Sequence, residues 1–370
     1  MQSVLAFWLL ASTVYFPGSG DAWERKTPAE VGMDAARLTE ALRFGQENES
    51  KDPRDLAQWL GERNKPEPFN ELIGPTQVRG GFSAIVLRNG FIVAEMGDTS
   101  RVDMTFSVTK SFVATTAGLA FDRGLIPSFD EPVRHLVKDG GFDSEHNRPI
   151  TWHQLLQQTS EWEGTLWDKP DVADRRRGRD RKLEAPGTFW EYNDVRVNRT
   201  SLAVLRVLKE ALPAVLKREV MDPIGASSTW QWHGYRNSYV DVDGARVQSV
   251  SGGGHWGGGL WISARDLARF GYLHLRKGKW GDKQILSEKW IARATTPCPI
   301  QKEYGYLWWL NTDEKLWPGV PVTSFAARGA GTNVVWVDPE HDLVVVLRWI
   351  STRQEGEVLK RILAAVKTAS

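Results

Sequence analysis

The apolar positions of the chain fall into two kinds of spacing. From Gly81 to Gly97 the sequence GFSAIVLRNGFIVAEMG holds two short apolar runs joined by Asn89-Gly90. That pair favours a type I′ turn, so an antiparallel hairpin is predicted there. Near the other end, TNVVWVDPEHDLVVVLRWI repeats the pattern around Asp338-Pro339-Glu340-His341-Asp342, and Glu355 to Thr368 has the spacing of an amphipathic helix. Between these ends the spacing is helical in Phe106 to Asp122, Thr151 to Gln158, Asp194 to Lys209, Ala211 to Val220 and Ala264 to Arg276, with Gly, Pro and charged loops between them. The pattern predicts an α+β fold in which an antiparallel sheet, built from both ends of the chain, is flanked by helices and carries a mostly helical insertion. The expected boundaries are 23–122 together with 251–370 for the sheet domain, and 123–250 for the insertion.

The start differs from the rest. Val4 to Phe16 is apolar, too short to span a bilayer, and is followed by small residues up to Ala22. Residues 1–22 are therefore expected to be a signal peptide, although no Lys or Arg precedes the apolar run, and the protein is expected to be exported to the periplasm or secreted. No later segment approaches a membrane span. At 370 residues the chain has length for about two domains. With 41% hydrophobic and 25% charged residues, and Lys+Arg 47 against Asp+Glu 46, it is too apolar for a disordered tail and too balanced for a nucleic-acid binder. The single cysteine, Cys298, excludes a disulfide framework within the chain and any Cys-based metal cluster. Lys51 to Glu71 is a polar stretch rich in Lys, Glu and Pro, and the basic run from Asp174 to Lys182 reads as a solvated loop.

Candidate chemistry narrows by exclusion. The chain has no G-x-S-x-G and no H-E-x-x-H, and its seven His are scattered, so neither an α/β-hydrolase elbow nor a catalytic metal is expected. The cluster Gly252 to Gly259 lacks the Lys-Ser/Thr of a phosphate loop, and no cofactor is expected. What remains is Ser107-Val108-Thr109-Lys110. With 22 serines and 17 lysines about one S-x-x-K arises by chance, so the tetrad counts through its place at a helix start. At i and i+3 the side chains share a helix face, which lets Lys110 reach the Ser107 hydroxyl. The helix start also favours developing negative charge. A Lys partly buried there is expected to lose proton affinity and act as base.

Further along come Thr159-Ser160 closing LLQQTS, then Phe189-Trp-Glu-Tyr192-Asn193-Asp194, then GGGLWISARDLARFGYL, then Phe325-Ala-Ala-Arg-Gly-Ala-Gly331. This ordered set resembles the class C β-lactamase and penicillin-binding-protein-like serine hydrolases, a family that also holds carboxylesterases and nylon-oligomer amidases. The likeness runs from VGMDAARL, near Val31, to the C-terminal helix, and implies a β-lactamase/transpeptidase-like fold. By this resemblance Ser107 is the acyl-accepting nucleophile, Lys110 its partner, and Tyr192 the tyrosine that works with Lys110 to accept the serine proton and pass it to the leaving group. The third residue of the family's Tyr-x-Asn motif is Asp194 here, so either it brings a negative charge or Asn193 takes over the substrate contact. The family's Lys-Thr-Gly falls near Ala327-Arg328-Gly329, without a lysine. The oxyanion hole is expected at the N–H groups of Ser107 and Ala330. Arg328 and Gly329 are candidate substrate contacts, and so are His255 and Trp256 in the glycine-rich segment. The expected activity is that of a serine acyl hydrolase, a carboxylesterase on small or medium acyl esters, with a small-molecule ester or amide as its partner. An amidase, β-lactamase or D,D-peptidase, or a silent ligand-binding relative, are the alternatives.

Overall fold

The structure of the chain is a computed structural model that describes residues 14–367. Its central sheet has six antiparallel strands in the order Trp309–Leu310, Phe325–Gly329, Asn333–Asp338, Leu343–Arg348, Ser83–Arg88 and Phe91–Met96. The first hairpin forms one edge, and Ser83–Arg88 pairs with the last strand from Ser83 opposite Arg348 to Arg88 opposite Leu343. Asn89 and Gly90 have φ of 53° and 85°, as a type I′ turn requires. Both ends of the chain thus meet in one sheet.

Alternation along the strands decides what each face buries. Ala84, Val86, Val334, Trp336 and Val345 lie on one face with residues of helices Ala35–Glu47 and Glu355–Ala364. Ile85, Leu87, Val335, Val337 and Val344 lie on the other, against helix Ala264–Leu275. Each buried side chain of this size contributes about 1.5–3 kcal/mol, so a one-residue slip of register would expose a whole face and is strongly disfavoured. Behind that second face runs helix Thr109–Asp122, buried on all sides from Thr109 to Ala120. It contacts helix Asp194–Leu208, and Phe112 stacks on Phe270 of helix Ala264–Leu275 at 3.7 Å between ring centroids.

The expected helices form close to their predicted limits, as Trp152–Gln157, Asp194–Leu208, Ala264–Leu275 and Glu355–Ala364, while Ala211 to Val220 divides into Leu212–Leu216 and a π-helical turn, Lys217–Met221. Several elements are additional, three of them at or beside the site. Helix Ala35–Glu47 begins at the N-cap Asp34, and helix Leu56–Asn64 rises from the polar stretch at its N-cap Asp55. Between residues 123 and 250 the last twenty form a hairpin, Gln231–Val242 and Ala245–Val250. That hairpin joins Gly259–Ile262 and Asp103–Met104 in a second, four-stranded antiparallel sheet across the expected boundary at residue 250. Residues 1–13 of the expected signal peptide lie outside the described residues. Of the remainder, Tyr15 stacks on Phe91 at 4.2 Å, and the Gly20 N–H donates to the Gly225 carbonyl at 2.9 Å. Among the described residues no helix is long and apolar enough to cross a membrane.

Candidate active site

Strand Asp103–Met104 turns sharply into the buried helix through Phe106, whose φ of 51° is unusual for a bulky residue and costs on the order of 1–3 kcal/mol. Packing holds it there: the Phe106 ring lies edge-on between Trp59 at 5.3 Å and Trp349 at 6.2 Å. Leu260 fastens the same turn to the second sheet, since its carbonyl accepts from the Thr105 N–H at 3.0 Å and its N–H donates to Thr109 Oγ1 at 3.0 Å. The strained turn presents Ser107 to a cleft of about 840 Å³.

Lys110 Nζ donates to Ser107 Oγ at 2.9 Å, as the i, i+3 spacing predicts, and also to Asp194 Oδ1 at 2.5 Å. Lys110 and Asp194 are both almost fully buried. Burial is the largest single influence and disfavours the ammonium, but Asp194 and Tyr192 together outweigh it and hold the Lys110 pKa above its ordinary value. The expectation of a lysine stripped of its proton is therefore corrected: Lys110 is a fixed cation touching the nucleophile. Asp194 shows the complementary effect. Burial favours its neutral form, while Lys110, then His255 and Arg176, hold its pKa down at about 2. This pair requires a glycine beside it, because a Cβ on Gly253 would stand 2.2 Å from Lys110 Nζ and 2.3 Å from Asp194 Oδ2.

Tyr192 lines the same cleft, with Lys110 Nζ 4.7 Å and Arg176 Cζ 4.8 Å from its ring centroid. Gly329 and Ala330 close the cleft from the sheet edge. A Cβ on Gly329 would come 2.1 Å from the Thr105 carbonyl and 3.0 Å from the Ser107 nitrogen, so only glycine lets the strand end lie against the nucleophile. His255 is in the cleft wall too, its Nε2 2.7 Å from Glu67 Oε2 and its Nδ1 4.0 Å from Asp174 Oδ1. Burial works against the charged ring, yet Asp174 and Glu67 hold its pKa above the ordinary value. Glu67, Asp174 and His255 bring possible ligand atoms within 4.8 Å of one another. However, the two carboxylates face different ring nitrogens, and Asp174 is already taken by Arg176 and by the Asp194 N–H at 2.7 Å. The set is an ion-pair network rather than a chelate.

Three other expectations change. Asn193 does not reach the cleft: it is the N-cap of helix Asp194–Leu208, accepting from the Arg196 N–H at 3.1 Å and donating to the Asp171 carbonyl at 2.8 Å. Trp256 is fully buried in the core and does not line the cleft as its neighbour His255 does, and its carbonyl accepts from the N–H groups of Ile73 and Gly74. Arg328 does line the cleft, but Glu355 engages it through Nε at 2.8 Å and Nη2 at 2.6 Å, so its charge is already answered.

The largest surprise is the basic run. Residues 176–180 and 182 are exposed, as expected of a solvated loop, but Arg176 and Arg177 also line the cleft. Arg175 pairs with Asp171 at 2.6 Å and Arg176 with Asp174 at 2.9 Å, while Arg181 bridges Glu161 and Glu191 at 2.6 Å each. Glu161 also receives Arg196 at 2.5 Å, and its carboxyl is held down at about 2 against the effect of burial. The opposite wall is helix Leu56–Asn64, which offers Trp59, Leu60, Arg63 and Asn64. Its signal was present in the sequence, an Asp N-cap before apolar residues at positions 56, 59 and 60.

A cleft-facing serine paired with a buried lysine at a helix start, a tyrosine across the cleft and a glycine-edged strand beside the serine nitrogen are what a serine acyl-transfer enzyme needs. Accordingly, the family model described as Beta-lactamase matches residues 56–368, and the chain belongs to this family of serine hydrolases, which includes esterases, amidases and penicillin-binding-protein homologues. Solved structures agree in fold. A penicillin-binding protein homologue from Caulobacter crescentus is 14% identical, with a TM-score of 0.60 over 90% of this chain and 99% of that one. A family VIII carboxylesterase is 16% identical, with a TM-score of 0.57 over 90% and 99%, and a β-lactamase from Mycobacterium bovis is 20% identical, with 0.56 over 84% and 100%.

Proposed function

We propose that the chain is a serine acyl hydrolase working through an acyl-enzyme on Ser107, and that its substrates are esters of small or medium acyl groups. The observation that carries the reading is the Lys110 Nζ donation to Ser107 Oγ at 2.9 Å inside the cleft. Because Lys110 remains an ammonium, its part is to orient Oγ and to stabilise the negative charge developing there, while Tyr192 takes the proton. Oγ then bonds the acyl carbon, and the carbonyl electron pair moves onto oxygen, facing the N–H groups of Ser107 and Ala330. The proton passes from Tyr192 to the leaving alkoxide as the C–O bond breaks. Water repeats the sequence to free the acid.

Esters are favoured over β-lactams by the state of Arg328. A β-lactam or a D-Ala-D-Ala peptide carries a carboxylate whose charge-assisted hydrogen bond is worth about 1.5–3 kcal/mol, and the bidentate Glu355 contact occupies the guanidinium that would provide it. A simple ester makes no such demand. Hydrolysis of p-nitrophenyl butyrate is expected to exceed that of nitrocefin in kcat/KM by at least about tenfold. Equal efficiency on both, with Arg328→Ala removing only the nitrocefin activity, would overturn this and make the protein a β-lactamase. The apolar start, Val4 to Phe16, supports export as the accompanying proposal.

A further inference from the structure

The expected leader and the folded body overlap in sequence. A cut at the small residues Gly20 to Ala22, where the leader of 1–22 is expected to end, would take Tyr15 and Phe16 out of the mature chain. In the structure both belong to the fold. The Tyr15 ring stacks on Phe91 of strand Phe91–Met96 at 4.2 Å, its hydroxyl accepts from the Glu24 N–H at 2.8 Å, and its carbonyl accepts from the hydroxyl of the buried Tyr272 at 2.6 Å. Phe16 packs on Tyr272 and Trp280, at 5.8 and 5.7 Å between ring centroids. Further along, the Gly20 carbonyl accepts from Nη2 of the buried Arg269 at 2.6 Å. That guanidinium also donates to the Ile224 carbonyl at 2.9 Å, so losing Gly20 would leave a buried cation short of an acceptor. The fit is close: a Cβ on Gly225 would stand 2.7 Å from the Ser19 Cα.

The small residues that suggest a cut serve a turn instead. Gly20 has φ of 58°, and the Ala22 N–H donates to the Ser19 carbonyl at 3.1 Å. The turn leads Trp23 into the core, where its Nε1 donates to the Gly90 carbonyl at 2.8 Å. A cut after Ala22 would place a charged amine on this buried residue, whereas Val14 is 52% exposed. Another run of small residues, Ala11-Ser12-Thr13, follows the seven apolar residues Val4 to Leu10, a sufficient core for a leader.

We propose that the leader is cut ahead of Tyr15, at Ala11-Ser12-Thr13, and that Tyr15 to Ala22 stays in the exported protein as a strap packed on Phe91, Tyr272 and Arg269. The inference rests on the export proposal and is independent of the chemistry at Ser107. The step is hydrolysis of one peptide bond by the leader peptidase of the export route: water adds across the C–N bond, its hydroxyl going to the carbonyl carbon of the leader and its hydrogen to the new amine of the mature chain.

The test is to express the full sequence in a bacterium with a periplasm and to read the N-terminus and intact mass of the periplasmic protein. The mature chain should begin between Ser12 and Tyr15. A mature chain beginning beyond Tyr15, as at Asp21 or Trp23, overturns the inference, and so does an exported chain that keeps its leader. In the same full-length gene, Tyr15→Ala combined with Phe16→Ala should lower the thermal midpoint of the exported protein by about 5 °C. An unchanged midpoint would mean that these residues are absent from the mature fold or idle in it, and overturns the strap. Failure of the export proposal looks different: the uncut chain stays in the cytosol, and the inference falls with it.

Discussion

Two walls of the cleft are made in opposite ways. On one side the buried helix Thr109–Asp122 places Lys110 and the strand Phe325–Gly329 places Gly329 through regular backbone, with Ser107 and Ala330 in the short turns that adjoin them. On the other side the segment from Glu161 to Tyr192 is mostly irregular, and what orders it is charge: Arg175, Arg176, Arg181 and Arg196 each reach a buried carboxylate. The first wall gains stability from apolar burial and tolerates modest change. The second depends on complete pairing, because a buried charge without its partner costs far more than the pair contributes. In this chain the nucleophile sits on the robust wall and Tyr192 on the brittle one.

The sharpest way to break that contrast is Glu161→Gln. Glu161 is buried and receives both Arg181 and Arg196, so the variant should lose about 3–5 kcal/mol in urea unfolding at pH 7. The pH dependence has a definite sign. The carboxyl is lowered in the folded state from an ordinary 4.5 to about 2, so its contribution is fully present above about pH 4.5 and is lost as the pH falls towards 2. The difference between wild type and variant should therefore narrow across that window. A variant within about 1 kcal/mol of the wild type at pH 7 would mean that this wall does not stand on its ion pairs.

A smaller effect separates two adjacent residues of the tyrosine motif. Asn193→Ala removes an N-cap and should cost about 1 kcal/mol of stability while leaving KM for p-nitrophenyl butyrate unchanged. A rise in KM with stability intact would return Asn193 to the substrate.

The same contrast explains what the sequence revealed. Asn89-Gly90, the Val-rich strands and the Ser107–Lys110 spacing are local signals, and each appears in the structure where the pattern puts it. Asp243-Gly244, with φ of 51° and 86°, is an equally good turn signal for the second hairpin that the helical reading of the middle passed over. Helix Leu56–Asn64 was hidden by its polar exterior in the same way. Other features had no local signal. Lys110 meets Asp194 across 84 residues and Arg181 meets Glu161 across 20, through loops with no periodicity to give their path. That is why the lysine was expected to lose its proton, and why the ion pairs of the basic run were not expected. Asn193 and Asp194 could not be told apart by composition either, since a helix start accepts both as caps and only the direction of the chain decides which side chain turns inward.

Covalent labelling of the intact protein tests the central claim most directly. Incubated with a fluorophosphonate probe, digested and read by mass spectrometry, the protein should carry one phosphonyl group on Ser107, and Ser107→Ala should carry none while unfolding at nearly the wild-type temperature. An unlabelled wild type, or a variant labelled to the same extent as the wild type, would contradict the assignment of Ser107 as the nucleophile.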